Sequence, residues 1–461
     1  MLPLFWRSRS YFKFPLLFCD FHPAVGPCTE NWEEPMHTRL TTFILFVLLT
    51  LTCGAGAGFA QEVDMVDPSF LANTTSIPFH PKPHDLTNGQ AHSRFGIHGI
   101  DSIPNFNDHF FADGFDFNGN PNRHWYTNTV GNPPQMGGTT LLGAPLQPVN
   151  VELDDANGNL RVVGGHPLIS DATKFVAPTL GSPVFSNFAY SSGPDPTQFS
   201  DAIQRAQYFN KMKPDWHTLL LVAPKPALTM HIRQSATCPT GPHSAGCNYT
   251  FSLNADGTCC RFILVNDNPP NFAFDTGLAG IVVTDIENNV ITTKDISSFL
   301  FSNVFLFFGD TTQCCVLGFH TYFFAPGSDP ELRWVLNYSS WISPGLFGAA
   351  FVDVTGLSHE IAETYNDPFV VSDSVHNLTP FTLAPNGGCS EVLETGDVIE
   401  GLPNATFPIT LNGFVYHPQN EALQQWFKFE SPSSALGQAY SYPDTTVLPQ
   451  LSPPQKFNCH P

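Results

Sequence analysis

The sequence predicts an α+β fold in which a mixed, β-rich sheet is joined by long loops rich in proline and glycine. The 461 residues include 42 proline, 35 glycine and 42 phenylalanine residues, whereas charged residues make up only 13%. This composition is typical of a loop-rich protein with an aromatic core, and not of a helical bundle or a disordered chain. Short apolar runs bounded by turn residues also recur between residues 146 and 324, as the strands of a sheet would.

The predicted elements follow one another along the chain. Alternating apolar residues on either side of an Asn-Gly turn indicate a hairpin of residues 146–153 and 160–163. Residues 199–212 have the spacing of a helix. Five strand-like runs come next, at residues 218–222, 228–232, 251–253, 261–265 and 280–284. The apolar run 296–308 fits either a buried helix or two strands, and residues 316–324 fit a strand.

The beginning of the chain has the features of a secretion signal. Within residues 36–60, a short positively charged start precedes an apolar core, and small residues at 58 and 60 suit cleavage before Gln61. We therefore expect a secreted, extracellular protein. We also expect translation to begin at Met36, which would leave residues 1–35 outside the mature protein. A lipoprotein signal ending at Cys53 is the alternative.

Beyond this leader, the composition suggests two regions and argues against some partners. Residues 61–135 are predicted to form an extended, loop-rich arm, and residues 136–461 a single β-rich α+β domain. The formal net charge is −21, and no basic patch interrupts the acidic sequence. Such a surface repels nucleic acid and anionic lipid, so neither nucleic-acid binding nor membrane binding after signal cleavage is expected.

Eight cysteines lie beyond the leader, an even number in a chain predicted to be exported. Disulfide bonds are therefore expected. Cys238 and Cys247 are spaced to close a short loop, the two Cys-Cys dipeptides at 259–260 and 314–315 suit links between neighbouring strands, and Cys389 suits a link to Cys459 in the tail. Spacing alone leaves the connectivity open.

A candidate metal-binding motif lies in residues 356–368, which fit one short helix with Ser358 as its N-cap and an Asn-Asp-Pro stop. Residues four apart on a helix share a face, so His359 and Glu363 would present an imidazole and a carboxylate to one point. Glu360 lies about 100° round the helix. This is the layout of the His-Glu-x-x-His zinc helix, with Glu in place of the second His. The alternative is a solvated face with one hydrogen-bonded pair.

A second acidic segment follows this helix. Four carboxylates occur within ten residues, namely Glu391, Glu394, Asp397 and Glu400. Carboxylates this close favour a counter-charge, which a divalent cation would supply, although a solvated acidic loop is the alternative. His320 lies on the last strand before the helix. We interpret it as a structural histidine, with a role facing a substrate as the alternative.

Taken together, these segments resemble secreted bacterial relatives of the phosphate-induced, exordium-like family. The resemblance is carried by His-Glu-Ile-Ala-Glu at residues 359–363 and by Glu-x-Gly-Asp-x-x-Glu-Gly at 394–401. It extends upstream to residues 317–321 and more loosely to 416–426, so it covers about residues 200–460. Ile399 stands where the family often has cysteine, which implies a different disulfide pattern.

The resemblance implies one zinc ion held by three protein ligands: His359, Glu363 and either Glu394 or Asp397. Three ligands leave the fourth zinc position to water, whose pKa falls toward about 7. Glu360 would accept the proton of this water and pass it to a leaving group. Tyr365 or Tyr416 would stabilise an oxyanion.

From these observations we predict a secreted, zinc-dependent hydrolase with a zincin-like active-site helix, cleaving protein or peptide substrates. Zinc peptidases of the zincin type are similarly built, with an edge strand of the sheet lying along that helix. One alternative is a non-catalytic binding or structural protein in contact with the cell wall or extracellular matrix. A weaker alternative takes the carboxylates as a glycosidase pair.

Overall fold

A computed structural model describes ten segments of the chain, which are residues 100–115, 121–238, 246–268, 272–324, 331–348, 351–370, 382–387, 389–390, 393–432 and 436–451. The predicted leader (1–60), most of the predicted arm and Cys459 lie outside these residues. Strands predominate over helices and form several sheets, which confirms the predicted β-rich α+β class. In the described part of the chain, no helix is both long enough and apolar enough to cross a membrane.

The strands, in chain order, are β1 (Ile100–Asp101), β2 (Asn105–Phe115), β3 (Pro121–Val130), β4 (Thr139–Asp154), β5 (Val162–Val163), β6 (His166–Pro167), β7 (Ile169–Ser170), β8 (His217–Pro224), β9 (Leu228–Arg233), β10 (Tyr249–Ser252), β11 (Phe262–Asn266), β12 (Ile296–Ser302), β13 (Val304–Phe307), β14 (Cys314–Val316), β15 (Gly318–Phe324), β16 (Glu331–Phe347), β17 (Phe351–Asp353), β18 (Thr382–Leu383), β19 (Cys389–Ser390), β20 (Ile409–Leu411), β21 (Phe414–Tyr416), β22 (Glu421–Ala422) and β23 (Ser441–Tyr442). The α-helices span Val176–Leu180, Phe199–Gln207, Ala273–Glu287, Thr355–Asn366 and Gln424–Lys428, and 3₁₀ helices span Ala172–Phe175 and Asp397–Ile399.

The main sheet has nine strands and is organised around the 16-residue strand β4. One edge of β4 pairs in parallel first with β8 and then with β9, and the other edge pairs in parallel with β12. Strand β12 in turn pairs in parallel with β16. Strand β15 runs antiparallel to β16 and borders the sheet on that side. The centre of the sheet is therefore parallel, whereas β15 and β17 run antiparallel to β16 and β7 runs antiparallel to β4.

The helix Thr355–Asn366, called the buried helix below, packs against β15, β16 and the helix Phe199–Gln207. All of its 12 residues are buried. Leu357, Ile361 and Tyr365 form one apolar stripe in a core that also contains strand residues of β4, β12 and β16. Burying a side chain of the size of leucine or isoleucine contributes about 1.5–3 kcal/mol. This apolar stripe therefore anchors the helix and leaves its other faces to polar residues.

The buried helix starts one turn earlier than the sequence predicts. It begins at Thr355, and Ser358, the predicted N-cap, lies inside its first turn. The Ser358 hydroxyl instead donates to the Thr355 carbonyl and accepts from the Gln419 backbone N–H. The helix ends at Asn366, where the Asn-Asp-Pro sequence predicts the stop. Tertiary contacts therefore set its start, whereas local sequence sets its end.

Other elements differ from the prediction in instructive ways. The run 280–284, predicted as a strand, belongs to the helix Ala273–Glu287, because Phe274, Leu278, Ile281 and Val282 share a buried face. The run 296–308 forms the two strands β12 and β13, separated by Asn303 at φ 51°. Strand β4 meets the predicted hairpin partner only at a bridge between Asp154 and Leu160.

Within the predicted arm, residues 100–115 and 121–135 belong to the described part of the chain. Strands β2 and β3 form an antiparallel hairpin. The end of β3 is buried, with Val130 in the same core cluster as the buried helix. On β2, Asp108 forms an ion pair of 3.0 Å with the buried Lys428. The hairpin thus packs onto the elements that follow it.

Three disulfides occur among the described residues. Cys238 and Cys247 are bonded, closing the short loop that their spacing predicts. Each Cys-Cys dipeptide, 259–260 and 314–315, forms a bond within itself and does not link neighbouring strands as expected. The predicted link from Cys389 to Cys459 concerns a residue outside the described segments.

Candidate metal centre

The buried helix supplies the first part of the candidate centre. His359, Glu360 and Glu363 are each at most 1% exposed, although all three are polar. The four-residue spacing brings His359 Nε2 to 3.2 Å from Glu363 Oε2. The predicted pairing of an imidazole with a carboxylate on one helix face is therefore present in the structure.

Strand β15 supplies a second histidine. His320, 1% exposed, points its Nδ1 atom toward three carboxylate oxygens. These are Glu360 Oε2 at 3.6 Å, Glu363 Oε2 at 3.7 Å and Glu394 Oε2 at 3.9 Å. The antiparallel border strand thus lies along the helix and turns this imidazole toward its carboxylates.

These distances suit ligands grouped around a cation. Two ligands bound tetrahedrally to zinc at about 2.0–2.1 Å lie about 3.3 Å from each other. The distances between histidine nitrogens and carboxylate oxygens given above, 3.2 to 3.9 Å, bracket this value. Among the described residues, two groups of three side chains place their ligand atoms within 4.8 Å of one another. The first group is His320, Glu360 and Glu363. The second group is His320, Asp367 and Glu394, so His320 belongs to both. The first group could therefore hold a metal ion.

Two glycines allow the close approach of these side chains. A Cβ atom at Gly318 would lie 2.4 Å from Glu360 Oε1. A Cβ atom at Gly396 would lie 2.3 Å from His359 Nδ1. Both distances are shorter than any non-bonded contact, so a side chain at either position would displace a polar group of the centre.

The acidic segment after the helix returns to the centre through its backbone. The Gly396 N–H donates to Glu363 Oε1 at 2.6 Å, and the Gly396 carbonyl accepts from Gln419 Nε2 at 2.9 Å. One oxygen of Glu363 is therefore fixed by the backbone, while the other faces the two histidines. This arrangement orients Glu363 in the way that hydrogen bonds orient metal ligands.

A further acid, Glu421 on β22, lies in the same region. It is fully buried, and its Oε2 accepts from the Thr395 hydroxyl at 2.8 Å. Burial raises the pKa of Glu421 well above its ordinary value, the nearby His359 lowers it and the nearby Glu363 raises it. Glu421 therefore lies within electrostatic reach of the candidate ligands.

The balance of charge also favours a cation. Four carboxylates, those of Glu360, Glu363, Asp367 and Glu394, are at most 2% exposed. Burying an ionised carboxylate without compensation costs several kcal/mol. Arg333 is also buried, with its guanidinium carbon 4.7 Å from the Tyr322 ring centre and 4.9 Å from that of Phe369. A divalent cation held among the carboxylates would add two positive charges.

Three predicted site residues do not join this group. The Tyr365 hydroxyl donates to the Thr218 carbonyl, and the Tyr416 hydroxyl donates to the Pro178 carbonyl, so both proposed oxyanion donors are engaged elsewhere. Asp397 lies at the start of a 3₁₀ helix and is half-buried. Its backbone N–H lies 3.4 Å from Glu363 Oε1, and of the two candidate third ligands it is Glu394 that faces His320.

No ligand role is predicted from the sequence for three residues of this region. His320 is interpreted there as a structural histidine, with a substrate-facing role as the alternative, and its place on the strand before the helix is the available signal. Asp367 enters the prediction only as part of the helix stop, although it follows Glu363 by four residues. No local signal marks Glu421, because the fold alone brings β22 to the helix.

The centre therefore combines two imidazoles with a surplus of buried carboxylates, a donor set that fits a divalent metal ion. Comparison of the chain with protein-family models, with curated proteins and with solved structures finds no match.

Proposed function

We propose that the protein is a secreted, metal-dependent hydrolase that acts on peptide bonds through a zinc ion bound at Glu363. The observation that carries this proposal is the position of Glu363 Oε2, 3.2 Å from His359 Nε2 and 3.7 Å from His320 Nδ1. His320 replaces Glu394 and Asp397 as the ligand that completes the set. The donor set of two imidazoles and one carboxylate is one that zinc uses in hydrolases.

The surrounding residues support specific roles. A zinc ion in this position would polarise a substrate carbonyl and acidify water. Glu360, next to His359 on the helix and 3.6 Å from His320, would accept a proton from the attacking water and return it to the leaving amine. Gly318 leaves room for the Glu360 carboxylate against β15. The antiparallel border strand along a ligand-bearing helix is also the arrangement of zincin-type peptidases, which is support by analogy.

The first experiment measures metal content by mass spectrometry on the chain purified without chelator, beside its His359→Ala variant. We expect about one zinc ion per chain in the parent and a loss of metal in the variant. Negligible metal in both proteins would refute the proposal.

A second experiment separates chemistry from binding. Glu360→Gln should abolish cleavage of a peptide library, scored by mass spectrometry, while metal content and melting temperature stay at the parental values. Glu287→Gln, an exposed carboxylate on another helix, serves as the control and should change neither. If Glu360→Gln removed the metal and lowered the melting temperature, Glu360 would be a ligand and the proposed base would be lost.

One observation favours a second candidate, a non-catalytic extracellular protein stabilised by its metal. His320, His359, Glu360, Glu363 and Glu394 are all at most 1% exposed. Catalytic zinc sites keep one position accessible, whereas structural sites are closed. This candidate predicts full metal occupancy without cleavage of any library peptide, so the two experiments above also distinguish it.

A further inference from the structure

We propose that Gln419 is a positioning residue of the centre. Its side-chain oxygen accepts the Nδ1–H of His359 and thereby keeps His359 Nε2 unprotonated for the metal ion. This inference deepens the proposed function and rests on an ion held by His359 and Glu363. It assigns a role to a buried glutamine that the proposed function leaves unexplained.

The two ring nitrogens of His359 face different parts of the protein. Nε2 lies 3.2 Å from Glu363 Oε2, on the side where the ion would bind. Nδ1 lies against the following loop, where a Cβ atom at Gly396 would be 2.3 Å from it. An imidazole that binds a metal through Nε2 carries its proton on Nδ1, and the group that accepts this proton fixes both the tautomer and the ring orientation. A metal-bound His359 therefore needs a hydrogen-bond acceptor on the Gly396 side.

Gln419 is the polar side chain at that place. Because a Cβ atom at Gly396 would lie 2.3 Å from His359 Nδ1 and 3.0 Å from Gln419 Nε2, the two nitrogen atoms are at most about 5.3 Å apart. The amide oxygen of Gln419 is bonded to the same carbon atom as Nε2. The amide group as a whole therefore lies on the Nδ1 side of the imidazole.

The hydrogen bonds of Gln419 leave its oxygen for this role. Nε2 donates to the Gly396 carbonyl at 2.9 Å, whereas Oε1 accepts no hydrogen bond from any residue in the described segments. The residue is 0% exposed. A buried carbonyl oxygen without a donor is unfavourable, so its presence calls for a donor that reaches it in the functional state. The Nδ1–H of a metal-bound His359 is such a donor.

The backbone holds Gln419 beside His359. The Gln419 N–H donates at 2.9 Å to the hydroxyl of Ser358, the residue before the histidine. Two residues earlier, the His417 carbonyl accepts from the Thr355 hydroxyl at 2.7 Å. These two bonds attach the segment to the first turn of the buried helix. The amide therefore approaches the imidazole from a segment that is fixed to the same helix.

The test is the Zn²⁺ affinity of Gln419→Met, measured on the full-length chain by competition with a chromophoric chelator. Methionine keeps the length of the side chain and lacks the amide oxygen. Removing a group that orients a metal-binding histidine typically lowers metal affinity about 10–100-fold, and we expect a loss in this range.

Gln204→Met is the matched control. Gln204 is also 0% exposed, its Nε2 donates to the Val130 carbonyl at 2.9 Å, and its Oε1 accepts no hydrogen bond in the described part of the chain. Its Nε2 lies 3.4 Å from the Tyr365 carbonyl, at the other end of the buried helix. Gln204→Met should therefore lower the melting temperature about as much as Gln419→Met does, while Zn²⁺ affinity stays within about twofold of the parental value.

A second measurement reports on the hydrogen bond itself and needs no folded Gln419 variant. In the Zn²⁺-loaded parent labelled with ¹⁵N-histidine, nuclear magnetic resonance should show an Nδ1–H proton of His359 that exchanges slowly with solvent. The signal is assigned by its absence from His359→Ala. Where Gln419→Met folds, this proton should move upfield and exchange faster, because its acceptor is gone.

The outcomes separate the two proposals. No Zn²⁺ binding by the parent would overturn the proposed function and this inference together. Zn²⁺ binding by the parent with parental affinity in folded Gln419→Met would overturn this inference alone. Equal losses of affinity in the two methionine variants would show a general effect of stability and would also overturn it. So would a Zn²⁺-loaded parent in which His359 has no protected Nδ1–H.

Discussion

Replacing Gly396 by alanine should damage the centre without disturbing the backbone around it. Gly396 has φ −84° and ψ −40°, a conformation that alanine adopts readily. The added methyl group would lie 2.3 Å from His359 Nδ1 and 2.6 Å from His359 Cε1. Either the imidazole ring or the loop that carries Gly396 must therefore move.

The size of the effect follows from this contact. An ordinary carbon–nitrogen contact of about 3.5 Å requires the ring or the loop to shift by about 1 Å. Overpacking a buried site costs about 1–3 kcal/mol of folding free energy. Disturbing the groups that orient a metal-binding histidine typically lowers metal affinity about 10–100-fold. We expect both effects for Gly396→Ala, with the loss of affinity the more diagnostic.

The assay is competition for Zn²⁺ against a chromophoric chelator, accompanied by thermal unfolding in the presence and absence of EDTA. Gly280→Ala is the matched control, because the residue is inside a helix and, apart from that helix's own backbone and the neighbouring residues, no atom lies within 4 Å of its added methyl group. It should keep parental zinc affinity and gain about 0.5–1 kcal/mol of stability. Parental zinc affinity in Gly396→Ala would refute the reasoning, since His359 would then not bind the ion from its observed position.

Three further predictions concern stability and metal removal. Burial raises the pKa of Asp285 from its ordinary 3.8 to about 6, because the folded protein disfavours the charged carboxylate. The stability that the protonated form provides is therefore fully present below pH 4 and is lost as the pH rises through 6. Asp285→Asn should therefore stabilise the protein at pH 8 by about 1–2 kcal/mol after allowance for solvent screening, and by nothing near pH 4, as measured by urea denaturation. Tyr365→Phe removes a buried hydrogen bond of 3.2 Å to the Thr218 carbonyl and should lower the free energy of unfolding by about 1–2 kcal/mol in denaturant titration. Metal content, measured by mass spectrometry, should stay at the parental level. A loss of metal would instead indicate that the Tyr365 hydroxyl belongs to the centre. Free Zn²⁺ at 100 times its dissociation constant should stabilise the parent by about 2.7 kcal/mol relative to the EDTA-treated protein, as measured by calorimetry. An unchanged melting temperature would show that the ion does not bind the native state preferentially.

The sequence predicts those parts of the fold whose signals are local. The strands around residues 218–265 and the helix starting at Phe199 follow from apolar spacing, and the structure confirms them. Residues 280–284 were predicted wrongly because Ile281-Val-Val-Thr284 is rich in β-branched residues, while the deciding apolar positions, Phe274 and Leu278, precede that run. Packing on one side of a 15-residue helix overrides the strand preference of five residues.

The same distinction holds for the candidate centre. The pairing of His359 with Glu363 is a property of one helix and was predictable from spacing. The approach of His320 depends on how β15 pairs with β16 and on how the helix packs beneath them, which no local pattern encodes. The two predicted tyrosines illustrate the reverse case, since their hydroxyls are drawn to backbone carbonyls by contacts that sequence proximity to the motif does not reveal.

The complete burial of the helix Thr355–Asn366 has a consequence for how the protein folds. A 12-residue helix is only marginally stable by itself, and all residues of this one are buried against other parts of the protein. Its partners are distant in the chain: the Thr355 hydroxyl bonds a carbonyl 62 residues away, and Glu363 bonds an N–H 33 residues away. Closing such long loops is slow, so the segment should acquire its structure late, together with the strands and loop that surround it. The side chains of the candidate centre would then meet only at the end of folding, so a metal ion bound there would enter after the chain has reached its final shape.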